Sequence, residues 1–228
     1  MSDQNNARNG LAVDRRAMLM GIGATAAASG FSLSSQPAFA QRGLSSVPIE
    51  KLMAKSDLPD LTIGKPDAKV TIVEYASMTC PACANFHNTT FPKIKEKYVD
   101  TGKVFFVMRE FPLDNLAAAV SMLTRCAGSD KAVSFIAVLF KTQAQWRIRN
   151  PVPKLFEIAK QVGFTQKSFD KCLEDSAMLE KLIKQREKAS KVFGVDATPS
   201  FFINGKRLRG RSTGIEAFDA VLEPLLKG

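Results

Sequence analysis

The spacing of apolar residues changes several times along the chain, and each change marks an element. VTIVEYAS, residues 70–77, is a short β-branched and aromatic run bounded by a turn, the pattern of a buried strand. Phe86, Phe91, Ile94 and Tyr98 then fall at helical intervals, and DTGK closes that helix. Pro81 suits its first turn, Thr79 or a neighbour can cap it, and Pro92 should kink it. VFFVMREFP, residues 104–112, predicts a second strand with a proline stop, so the order strand, helix, strand predicts a right-handed βαβ unit with parallel strands.

From Leu116 to about Phe193 the pattern is helical throughout, divided by Gly, Pro and Asp. In its last segment Met178, Leu179, Leu182, Ile183, Ala189 and Phe193 predict one apolar face. A block of about eighty residues is large enough to hold a small core. FFI then leads to Asn204-Gly205 and KRLRG, a hairpin signal because both turn positions need positive φ. A final amphipathic helix follows, with Ser212 or Thr213 as candidate cap. Residues 41–65 are mixed and turn-rich and predict only a lead-in segment and a loop.

Composition changes this picture mainly at the N-terminus. Residues 1–40 carry Arg15-Arg16, an uncharged run rich in Ala, Gly and Ser, and an A-x-A site at Ala38 and Ala40, the anatomy of a cleaved export signal. The arginine pair resembles a twin-arginine signal. The competing reading, a retained anchor, fits poorly with so many small residues. Cleavage would remove three basic and two acidic residues, taking the net charge from +10 to +9. Such a surface favours acidic partners or an anionic membrane face, and export argues against nucleic acid. The basic tract at 206–211 reads as a solvated strand edge. Hydrophobic content of 45% and charged content of 24% exclude disordered and fibrous classes.

The chemistry concentrates in MTCPACANFH, residues 78–87, which holds Cys80, Cys83 and the chain's single histidine. Three readings are open from the residues alone: a redox couple, part of a metal site, or two core cysteines. Cys80, Cys83 and His87 share one helix face and could offer three ligands to zinc, but a structural site needs a fourth. Ala84 stands where haem attachment needs histidine. Glu74 is an acid in an apolar strand, and a buried lone carboxylate is costly.

EYASMTCPAC, REFPLD and GVDATPSFFINGK, in that order, together with βαβ and ββα halves separated by helices, resemble the DsbA family of periplasmic thiol-disulfide oxidoreductases. The resemblance implies an α/β thioredoxin fold with an inserted helical domain. It divides the chain into the signal (1–40), the lead-in (41–65), a thioredoxin-fold domain (66–114 and 195–228) and the insertion (115–194). It implies Cys80 as the exposed nucleophile at a helix N-terminus and Cys83 as the buried resolving thiol. Glu74 would move the proton of the buried cysteine. Thr198-Pro199 would be the cis-proline pair that packs against the couple and presents backbone to substrate. His87 is left as a surface or groove residue.

Cys126 and Cys172 are expected to form a structural disulfide after export. Substrates would be reduced or unfolded exported proteins, with a DsbB-type membrane quinone reductase as reoxidant, a monomeric enzyme, and neither cofactor nor metal. Ala82 departs from the C-P-H-C pattern of strong oxidases, and Thr198 from their valine, so a reductase or isomerase of the same fold is the alternative. A periplasmic metal carrier is the third reading.

Overall fold

The structure, a computed structural model, describes residues 46–208 and 213–228. The export signal expected over 1–40, residues 209–211 of the basic tract and the candidate cap Ser212 lie outside the described residues. In chain order the elements are α1 Ile49–Leu52, β1 Leu61–Ile63, β2 Val70–Ala76, α2 Pro81–Thr89, α3 Phe91–Ile94 with a π-helical turn Lys95–Val99, and β3 Val104–Glu110. Then come α4 Asn115–Cys126, α5 Ser129–Lys141, α6 Gln143–Trp146, α7 Val152–Lys160, α8 Gln166–Leu173 and α9 Ser176–Phe193. β4 Ser200–Ile203, β5 Lys206–Arg207 and α10 Ile215–Lys227 complete the chain.

The sheet order is β1-β3-β2-β4-β5, with β2 and β3 parallel and the other neighbours antiparallel. The βαβ and ββα halves therefore share one sheet, and the helices α4 to α9 are inserted between them: the chain has the thioredoxin fold. β2 and β3 are buried on both faces, which is why they read as nearly unbroken apolar runs. The lead-in holds more than a loop. Its α1 and the edge strand β1, of four and three residues, are too short to show a period in the sequence. Arg109 anchors this segment, donating to Asp60 at 2.7 and 2.8 Å, to the Leu52 carbonyl at 2.6 Å and to the Tyr75 hydroxyl at 3.1 Å.

Pro92 interrupts rather than kinks the helix: α2 stops at Thr89, and the chain restarts as α3 with Pro92 in its first turn. The long helix α9 buries Leu182, Gln185, Ala189 and Phe193, but Ile183 is exposed. Gly214, not Thr213, stands at the N-cap of α10. The β4–β5 turn has Asn204 at φ 45° and Gly205 at φ 79°. A Cβ at Gly205 would come within 2.1 Å of the Val47 carbonyl, so only glycine admits the N-terminal segment here. That segment covers the sheet edge, with Ser46 bridging to Lys206 and Val47 donating to the Gly205 carbonyl. Arg207 is not freely solvated: it donates to the Gly194 carbonyl, Asp196 and Ser200.

The helical block does not keep a core to itself. Phe135, Leu139, Trp146 and Phe169 from the insertion form one buried cluster with Ile72, Phe86 and Phe106. A second cluster, including Val73, Tyr75, Phe193 and Phe202, fills the other sheet face. Cys126 and Cys172 are bonded, with S–S 2.14 Å and Cα–Cα 6.2 Å, tying the end of α4 to α8. Their sequence separation of 46 residues makes the bridge a substantial restraint on the unfolded chain. Replacing both by alanine is expected to lower the unfolding free energy by about 2 to 4 kcal/mol, read as a shifted urea midpoint.

Candidate active site

Cys80 is itself the N-cap of α2, with extended backbone (φ −76°, ψ 120°) and Pro81 as the first helical residue. Proline there gives up no helical hydrogen bond, so the free N–H groups of Ala82 and Cys83 remain to face the Cys80 sulfur. Three residues later Cys83 is fully buried, while Cys80 keeps 7% of its surface exposed. The nucleophile candidate is thus less open than the sequence suggests, because α6 and the Thr198-Pro199 loop pack around it. Both cysteines are free thiols in the structure.

The two sulfurs are electrostatically unequal. The Cys80 thiol is lowered from its ordinary 9.0 to about 5, first by a hydrogen bond from Cys83. Burial opposes this, and the Thr198 side chain and the backbone N–H groups of Cys83 and Ala82 add to the lowering. Burial pushes the Cys83 thiol well above its ordinary range, with the Cys80 hydrogen bond and the Glu74 charge acting the same way. Position 82 contributes only backbone. A histidine there is therefore not required for an acidic Cys80.

Thr198-Pro199 is a cis peptide, and the Thr198 carbonyl accepts from the Cys80 thiol at 3.3 Å. The Thr198 hydroxyl is buried and makes no hydrogen bond to the neutral thiol. It is the group left to donate once the sulfur ionises.

Glu74 lies fully buried in β2. Its register partners are Met108 on β3 and Phe201 on β4, so the sheet offers its side chain only apolar neighbours. The partner comes from α2: His87 Nε2 lies 2.9 Å from Glu74 Oε2. The expectation of a surface histidine is corrected here, since the His87 side chain is 6% exposed. Its ring stacks on Phe140 at 4.5 Å and meets Phe86 and Phe91 at 5.3 and 5.2 Å. Burying a carboxylate demands compensation, and this imidazole supplies it. Among the described residues, no group of three His, Cys, Asp or Glu side chains is placed to hold a metal ion.

Two contributors were not singled out from sequence. Gln143, in the short helix α6, donates through Nε2 to the Met78 carbonyl at 2.8 Å and the Cys80 carbonyl at 3.0 Å. It fixes the backbone on both sides of Thr79 and connects the inserted helices to the couple. Asp114 caps α4 by accepting from the Ala117 N–H, and its other oxygen accepts from Thr79 Oγ1, both at 2.7 Å. Ser77 Oγ lies 3.3 Å from that Thr79 hydroxyl. Asp114 was visible as a capping type before a helix; nothing in a lone glutamine marks Gln143. Cys126 and Cys172 stand apart from the couple, in the helical block.

Comparison with known proteins agrees with this geometry. The Thioredoxin family profile matches residues 56–223. A Rickettsia bellii protein named as a protein-disulfide oxidoreductase is 35% identical over 179 residues, covering 78% of this chain and 68% of its own. A Rickettsia typhi protein of the same description is 34% identical, covering 68% of this chain and 58% of its own. The chain thus spans roughly two thirds or less of the length of these relatives. Among solved structures, alpha-DsbA1 of Wolbachia pipientis matches with a TM-score of 0.71 and 32% identity, covering 79% of this chain and 96% of that one. With a C-x-x-C couple at a helix N-terminus in the same fold, the chain belongs to the DsbA-like protein-disulfide oxidoreductases of the thioredoxin superfamily.

Proposed function

We propose that this protein is a dithiol oxidase that gives disulfides to exported proteins through Cys80 and Cys83. The observation that carries the reading is the inequality of the two thiols. An N-terminal Cys80 lowered to about 5 stabilises the reduced couple, and a disulfide whose reduced form is stabilised is a willing oxidant. Thiols near about 7 in thioredoxin and about 3.5 in the strongly oxidising DsbA are the reference values for those proteins, and about 5 lies between them.

In the proposed cycle a substrate thiolate attacks the Cys80 sulfur of the oxidised couple. The Cys80–Cys83 bond breaks, a Cys80–substrate disulfide forms, and Cys83 leaves as a thiolate that takes a proton through Glu74. A second substrate thiolate then attacks the substrate sulfur, forming the substrate disulfide and releasing Cys80 as the stabilised thiolate. Thr198 would present backbone groups to an extended substrate segment, with Pro199 packed against the couple.

Reoxidation falls to a membrane quinone reductase of the DsbB type, the enzyme acts as a monomer, and residues 1–40 direct its export to the periplasm and are then cleaved. The division into a thioredoxin domain (66–114 and 195–228) and an insertion (115–194) belongs to the same reading. No helix among the described residues is long and apolar enough to cross a membrane.

Refolding reduced, denatured ribonuclease tests the direction. The oxidised protein is expected to restore ribonuclease activity stoichiometrically. Failure there, with activity only on scrambled ribonuclease in a reducing buffer, would assign the couple to isomerisation instead.

A further inference from the structure

Glu74 does not stand as a lone carboxylate; it is paired with His87. Oε2 is engaged by His87 Nε2 at 2.9 Å, while Oε1 is buried without a hydrogen-bond partner. Both side chains are almost wholly shielded from water. Glu74 also acts on Cys83 through its charge, so the acid is coupled to the resolving thiol as well as to the imidazole. Apolar groups from four elements flank the pair: Met108 of β3 and Phe201 of β4 beside Glu74, Phe91 of α3 and Phe140 of α5 against His87. Among the described residues no other ion pair or hydrogen bond reaches His87, and the titratable groups of the enclosure are Glu74, Cys83 and Cys80.

A carboxylate that must accept and return a proton in such surroundings needs a way to balance its charge at each stage. An imidazole hydrogen-bonded to it does this, because it can keep the proton as imidazolium or share it with the acid. Stacking on Phe140 holds the ring plane, and α2 carries His87 one turn beyond Cys83 on the same face, so one helix fixes both ends of the route.

We infer that His87 is a positioning residue for the Cys83 step, orienting Glu74 and sharing its proton so that Oε1 is free to exchange one with the Cys83 sulfur. This rests on the reading of Cys83 as the resolving thiol. When Cys83 resolves a mixed disulfide, its S–H proton passes to Glu74 Oε1. The Cys83 sulfur then bonds to the Cys80 sulfur, the Cys80–substrate bond breaks, and the substrate leaves as a thiolate. The proton stays on the Glu74–His87 pair. When a substrate thiolate opens the disulfide, the proton returns from the pair to Cys83.

An aromatic disulfide reagent whose released thiolate absorbs visible light separates the two steps in the reduced, full-length protein. The first release reports attack by Cys80 on the reagent; the second reports attack by Cys83 on the resulting adduct. In His87→Gln the first phase is expected to stay within about twofold of wild type and the second to slow at least about tenfold near neutral pH, converging as bulk base replaces the pair at higher pH. His87→Phe, which keeps the stack on Phe140, should do the same. Adding His87→Gln to Glu74→Gln should slow the second phase little further, because the two act as a unit. An unchanged second phase in folded His87→Gln and His87→Phe, or equal slowing of both phases at every pH, would overturn the inference. Absence of any second phase in the unmodified protein would instead overturn the assignment of Cys83, and this inference with it.

Discussion

Cys80→Ser is expected to abolish disulfide exchange, leaving only the uncatalysed background, while Cys83→Ser should stop exchange halfway. The difference follows from the positions of the two sulfurs. Serine at the α2 N-cap provides no nucleophile at neutral pH, whereas the native sulfur is ionised above about pH 5. With Cys83 replaced, Cys80 still attacks disulfides, but no second thiol is held at one-turn distance to release the adduct. Cys83→Ser should therefore accumulate covalent complexes visible on non-reducing gels and dispersed by dithiothreitol. Equal loss of adducts in both variants would contradict the assignment of attacking and resolving roles.

The second large effect is a pH dependence of stability in the reduced form. Cys80 has a folded pKa of about 5 against an ordinary 9.0, so between these values the unfolded chain binds one proton more than the folded one. Stability from this group is fully present above about pH 9 and is lost as pH falls through about 5, with a slope near 1.4 kcal/mol per unit between them. Cys83 is shifted upward and stays protonated in both states below about pH 9, so it contributes no slope there. Allowing for solvent screening of a sulfur that reaches the surface, reduced wild type should gain about 2 kcal/mol over reduced Cys80→Ser between pH 4 and pH 7. Urea denaturation of both proteins across that range checks the sign. A difference that shrinks with rising pH would contradict it.

Much of the site was legible because its chemistry is local. A C-x-x-C after a short buried strand puts the first sulfur at a helix start and the second one turn deeper, whatever the rest of the chain does. The sheet halves were legible because β2 and β3 are apolar on both faces and Asn204-Gly205 demands positive φ. What escaped depends on contacts across long sequence separations. Gln143 lies 63 residues from Cys80, in a four-residue helix, and nothing in its neighbourhood marks it as a donor to the active-site backbone. Helical spacing fixes the face on which His87 lies but not what covers it; Phe140, from the insertion, does. The short β1 carries too few residues to display an alternation, and Ile183 stays exposed because its helix turns only a narrow stripe inward.

The departure at Ala82 also looks different in three dimensions. Its missing imidazole is offset by donors the sequence pattern does not advertise: the Cys83 thiol, the Thr198 side chain and two backbone N–H groups. These donors are expected to suffice to make the couple an oxidant. Equilibrating the protein without residues 1–40 against glutathione buffers measures this directly. A reduction potential between about −270 mV and about −120 mV, clearly above the lower bound set by thioredoxin, is the predicted result. A value at or below about −270 mV would contradict the account, because a couple that reducing takes disulfides away.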